Sequence, residues 1–300
     1  MSRPAPIECT GAPRDIGLDQ GRACRALLRA RFASLPGWER LLLRAGLCDR
    51  ATARVARDMQ RYFPHQAEAL QGLARGAGVP RLWLARRLAR EHGAGSAPAA
   101  SEGLAAVASG DPGRTFLARS VAGEAIVRRI LSDGGFGSLE LTRPWLTSGL
   151  AGVNDRGLAL VCSLAADEPG DCAAPAALLV RDCLQQFDSV GAALEWCVGR
   201  PAGGRATLLL ADASGELAAI DVAGTERRVR RAEAGLLVAA TADRGAAIEK
   251  SLRAASPVNA ESLVRALTGG SPASDCVLVD PAERRLGLAV AATPLHWIPL

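Results

Sequence analysis

The sequence predicts an α+β protein in which two antiparallel sheets carry helices on their outer sides. Three observations predict it. Apolar residues recur at helical spacing before Glu91, the period falls to two from Glu102 onward, and strand pairs joined by Asp, Pro and Gly turns lie on both sides of a later helical pair.

The elements follow in order. From Asp15 to Phe32, Cys24, Leu27, Leu28 and Phe32 share one helical face while Arg22, Arg25 and Arg29 take the other, which predicts one amphipathic surface helix. A second runs from Ala51 to Phe63, with Val55, Met59 and Tyr62 on one face and a break at Pro64. A third, His65 to Arg75, ends in Gly76-Ala77-Gly78, where glycine takes the left-handed cap conformation. Pro80 starts a fourth, Leu82 to Glu91. Beyond the junction, Leu104 to Ala108 and Thr115 to Arg119 flank the turn Asp111-Pro112-Gly113, and Leu150 to Asn154 and Leu158 to Ser163 flank Asp155-Arg156-Gly157. Helices over Ala176 to Phe187 and Asp188 to Val198 come next, with Asp188 as N-cap. Strands over Thr207 to Ala211, Leu217 to Val222 and Gly235 to Ala240 precede helices over Arg244 to Ala254 and Ala260 to Leu267. A last hairpin, Cys276 to Asp280 and Leu286 to Ala291, closes the chain.

Residues 1–300 are read as a single domain, because no charge-rich or Pro/Ser-rich linker divides the chain and 49% hydrophobic composition supplies one large core. Within it, 1–91 form a helical segment, 92–100 a small-residue linker and 101–300 the main part.

The formal charge of +5 does not indicate nucleic acid. Lys250 is the only lysine among 36 basic residues, and the arginines are spread along the chain rather than gathered on one stretch. No segment approaches the roughly 20 apolar residues of a membrane helix. Without a signal-like start after Met1, the expectation is a cytoplasmic protein with no membrane partner. The eight cysteines include no C-x-x-C pair and most occupy apolar positions, so buried free thiols are expected, with Cys172 the one in an exposed loop. His65, His92 and His296 have no ligand spacing to one another or to the cysteines, so neither a metal nor another cofactor is expected.

The junction carries the chemistry. Ser101 follows the pliable run His92-Gly93-Ala94-Gly95-Ser96-Ala97-Pro98-Ala99-Ala100 and opens a strand, as a self-processing nucleophile requires: its hydroxyl attacks the preceding carbonyl, and the freed amine then serves as base.

Four stretches resemble the acyl-coenzyme A:6-aminopenicillanic acid acyltransferase family of N-terminal nucleophile hydrolases (peptidase C45-like). They are Gly11 to Gly17 with Gln20-Gly21, Glu68 to Val79, Gly113 to Arg119, and Gly149 to Ala159. The resemblance implies a four-layer αββα sandwich and a small-molecule amide or acyl donor as substrate. It also implies Ser101 as nucleophile, Arg119 as a guanidinium near the nucleophile or a substrate carboxylate, and Asn154 as an amide near the oxyanion or the free amine, all three expected in one cleft. The sequence departs from the family at the site itself, with Ser101 for cysteine, Ala122 for aspartate and Ala242 for asparagine. Three readings are open: an amide hydrolase or acyltransferase cleaved between Ala100 and Ser101, an inactive relative that binds a ligand or partner, and an unprocessed chain whose nucleophile is Cys172.

Overall fold

The computed structural model describes residues 5–92, 104–108, 114–165, 172–233, 235–240, 242–255, 258–269, 275–289 and 294–300. The chain begins with β1 (Ile7–Gly11), followed by α1 (Pro13–Ala23), α2 (Arg25–Ala33), α3 (Gly37–Arg44), α4 (Arg50–Tyr62), α5 (Pro64–Ala77) and α6 (Arg81–His92). Strands β2 (Leu104–Ala108), β3 (Thr115–Val121), β4 (Ile126–Ser132), β5 (Ser138–Thr142), β6 (Ala151–Asn154) and β7 (Ala159–Ala165) lead to α7 (Leu178–Gln186) and α8 (Val190–Gly199). Then come β8 (Arg205–Ala211), β9 (Leu217–Ala223), β10 (Glu226–Arg231), β11 (Leu236–Ala239), α9 (Ala242–Ala254), α10 (Ala260–Thr268), β12 (Asp275–Asp280), β13 (Arg285–Ala289) and β14 (His296–Pro299).

Two sheets result. One runs β1-β4-β5-β6-β7-β8-β9-β10 and the other β11-β2-β3-β12-β13-β14. Every neighbouring pair is antiparallel except β1 and β4, which run parallel. Alternation sorts the side chains into layers. Leu117, Val127, Leu139, Val153, Val161, Leu209, Ala219 and Val277 meet between the sheets. Leu160, Leu208 and Ile220, one residue out of phase, pack under α4 to α8. Phe116 and Leu278 pack under α9 and α10. The layers are therefore α, β, β, α, the four-layer sandwich that the resemblance implies.

Helix α1 crosses α5 at backbone contact. A Cβ on Gly17 would lie 1.9 Å from the Ala69 carbonyl oxygen, and one on Gly72 1.9 Å from that of Arg14; Gly21 and Gly76 meet one turn further on. The helix expected over residues 15–32 is thus two, broken at Cys24, because α1 turns its glycines to α5 while α2 turns Leu28 and Phe32 into the helical core. Gly78 caps α5 at φ +69°, as its residue type requires.

Two other expectations are corrected, and two strands were not expected. The segment before the junction is not wholly helical, since β1 extends the larger sheet through a buried Cys9. Strands β4 and β5 escaped the period-two reading because Arg128 and Glu140 interrupt their apolar pattern. The two side chains are fully buried and paired, Arg128 Nη2 to Glu140 Oε2 at 2.6 Å, with Arg128 also donating to the Gln20 side chain. The N-cap of α8 is Ser189 rather than Asp188, and the Val190 amide at its start donates instead to Asp212 Oδ2 at 2.9 Å.

Candidate active site

Arg119 sits inside β3, in phase with Leu117, and so faces the other sheet. It is 2% exposed and donates through Nη1 to the carbonyl oxygen of Cys162 in β7, so one guanidinium ties the two sheets together. Leu104, the first residue of β2, is its register partner. Ser101 precedes that residue by three positions and lies outside the described residues, as does the whole 93–103 stretch.

Strand β2 lies across the sandwich from β7, β8 and β9. At the level of Cys162 those strands present Ser163, Thr207 and Asp221, which are successive register partners, with Arg228 of β10 beside Asp221. Thr207 Oγ1 donates to Asp221 Oδ1 at 2.8 Å, and Arg230 grips the same carboxylate through Nε (2.8 Å) and Nη2 (3.1 Å). This two-pronged contact fixes the carboxylate plane. A cavity of about 760 Å³ opens over this end of the sheet, lined by Arg205, Thr207, Asp221, Glu226, Arg227 and Arg228 among others. Arg227 is committed to the framework: it donates to the carbonyls of Gly224 (2.7 Å), Ala202 (3.1 Å) and Cys197 (3.3 Å).

Asn154 is elsewhere. It alternates with Val153, so its side chain lies on the outer face of the larger sheet, under α7. Its Nδ2 donates to the carbonyls of Leu184 (2.9 Å) and Phe187 (2.7 Å), and its Oδ1 accepts from the amides of Arg156 (3.1 Å) and Leu158 (2.9 Å). The amide is thus spent on the β6–β7 turn and on the end of α7. The expectation that Arg119 and Asn154 share one cleft is corrected: a sheet separates them.

Cys172, expected in an exposed loop, is 8% exposed, and burial raises its thiol pKa, which disfavours the thiolate a nucleophile needs. Cys48 is the exposed cysteine. Among the described residues no cluster of His, Cys, Asp and Glu is arranged to hold a metal, and no helix is long and apolar enough to cross a membrane.

Sequence reasoning missed Thr207, Asp221 and Arg230. A signal was present in β9, where Asp221 is the one charge in Leu217-Ala218-Ala219-Ile220-Asp221-Val222 and falls in phase with residues between the sheets. A lone carboxylate at such a position requires a partner.

A scan against protein-family models and a search of curated proteins each find no match. Solved structures do align. A Caenorhabditis elegans N-acylethanolamine-hydrolyzing acid amidase ortholog matches with a TM-score of 0.51 at 12% identity, over 60% of this chain and 93% of that one. A variant of the conjugated bile acid hydrolase from Clostridium perfringens matches with a TM-score of 0.51 at 9% identity, over 66% and 92%. Penicillin V acylase from Agrobacterium tumefaciens gives a TM-score of 0.47 at 15% identity, over 66% and 86%.

Proposed function

We propose that this chain is an N-terminal nucleophile amide hydrolase or acyltransferase acting on an N-acyl amine or a small peptide-like amide. One observation carries the reading: Arg119 is buried between the sheets as the register partner of Leu104, the first residue of β2, three positions after Ser101. The names of two proteins of like fold, an N-acylethanolamine-hydrolyzing amidase and a bile acid hydrolase, support the reaction class.

In this reading the Ser101 hydroxyl attacks the Ala100 carbonyl, the peptide C–N bond breaks as the ester forms, and water cleaves the ester. The freed Ser101 amine then takes the hydroxyl proton during attack on the substrate amide, and the acyl group passes through a serine ester to water or a second amine. Arg119 offers a fixed positive charge to the oxyanion or to a substrate carboxylate. Asn154 is left to the framework.

A second reading, a catalytically inactive relative that binds a ligand or partner, is favoured by the engagement of the Asn154 amide and by Ala122 and Ala242 standing where the resembled family has aspartate and asparagine. Intact mass spectrometry separates the two. The enzyme reading expects two chains, one ending at Ala100 and one starting at Ser101, loss of cleavage in Ser101→Ala, and a serine-bound acyl adduct after incubation with an activated acyl ester. A single uncut chain that takes up no acyl group leaves the binding reading.

A further inference from the structure

Cys183 on α7 and Cys197 on α8 place their sulfur atoms 3.5 Å apart, in contact, with both residues wholly shielded from solvent. The two positions are 14 apart in sequence and their helices are joined by a short turn, so little freedom remains between them. That turn is pinned from below, since the Asn154 amide holds the carbonyls of Leu184 and Phe187. From above, Cys183 Sγ also reaches the Ala193 carbonyl at 3.9 Å. Reaching the disulfide length of about 2.05 Å requires the sulfurs to close by roughly 1.5 Å.

We propose that Cys183 and Cys197 are a disulfide site: an oxidisable pair that, when joined, clamps α7 to α8. The oxidant is a small-molecule disulfide. A thiolate of the pair attacks it, releasing one small thiol and leaving a mixed disulfide. The second cysteine, giving up its proton, then displaces the other small thiol, so that two protein thiols become one disulfide while one small disulfide becomes two thiols. The bond to Cys197 and burial push the Cys183 thiol well above its ordinary range, so the closed pair does not react. Exchange therefore proceeds through local opening of the α7–α8 layer, and the bond once formed prevents that opening. The clamp reaches the candidate site through Arg227, which lines the cavity and donates to the carbonyls of Cys197 and Ala202 at the end of α8.

The test uses the full chain in an oxidised/reduced glutathione buffer, with and without sub-denaturing urea. After alkylation and tryptic digestion, the peptide 182–205 contains both cysteines and no other. The expected result is a loss of two hydrogens from that peptide with no alkylation, appearing slowly in buffer and faster in urea, and a rise of roughly 5 °C in the thermal midpoint. Cys183→Ala and Cys197→Ala should each restore full alkylation of the remaining thiol. A peptide that stays a dithiol after equilibration in urea under strongly oxidising glutathione, or that is found linked to another cysteine, overturns the proposal. Neither outcome depends on whether Ser101 is a nucleophile.

Discussion

Four hydrogen bonds converge on the side chain of Asn154, two given to Leu184 and Phe187 and two taken from Arg156 and Leu158. Asn154→Ala leaves these buried groups without partners and is expected to lower stability by about 3 kcal/mol, read as a shift of the urea midpoint at constant slope. A loss below about 1 kcal/mol would show that the turn does not depend on it. The thiols make a second prediction. Burial pushes Cys9 and Cys24 up to about 11 and Cys276 up to about 12. Each stays protonated in the folded chain while its unfolded counterpart ionises near 9, so the stability it contributes is whole below pH 9 and is lost as pH rises toward 11 or 12. Between pH 9 and 11 each should remove about 1.4 kcal/mol per pH unit, and Cys9→Ala should flatten the slope. Arg119 was singled out because a resemblance marked its position. Asp221 stood out as a lone charge in an apolar strand, but nothing in a single strand announces that a threonine and an arginine of two neighbouring strands will meet it.

At the scale of elements, the α1–α5 crossing rests on missing side chains. Gly72→Ala would drive a methyl group into the Arg14 carbonyl and should cost about 3 kcal/mol, since neither backbone can yield without moving its helix. Gly191 of α8, whose added Cβ would meet nothing, is the control: Gly191→Ala should be neutral or stabilising by up to about 1 kcal/mol. Equal losses at both positions would refute the close-packing account. The hairpin at Asp155-Arg156-Gly157 was readable because turn chemistry is local, while Asp111-Pro112-Gly113 lies outside the described residues. Strand β1 was not, because its five residues take their structure from β4, more than a hundred positions away.

For the whole molecule, residues before the junction are built into the same layers as residues after it. β1 joins the larger sheet, Gln20 donates to the Leu146 carbonyl at 2.9 Å, and α4 to α6 share one core with α7 and α8. A chain cleaved between Ala100 and Ser101 should therefore elute as one species in size exclusion and separate only in denaturant. Elution as two species in native buffer would count against the single-domain proposal. Among the described residues the larger sheet ends at β10, which holds Arg227, Arg228, Arg230 and Arg231 within six residues, Arg230 and Arg231 being paired with Asp221 and Glu216. An edge strand is a template for another strand, but two copies approaching here bring their Arg228 side chains together. That protection is ionic, and its range shrinks from about 8 Å in physiological salt to about 3 Å at 1 M. The protein's solubility should accordingly fall as sodium chloride rises, with light scattering reporting self-association that Arg228→Glu shifts to lower salt, because the edge then carries the charge its own copy attracts.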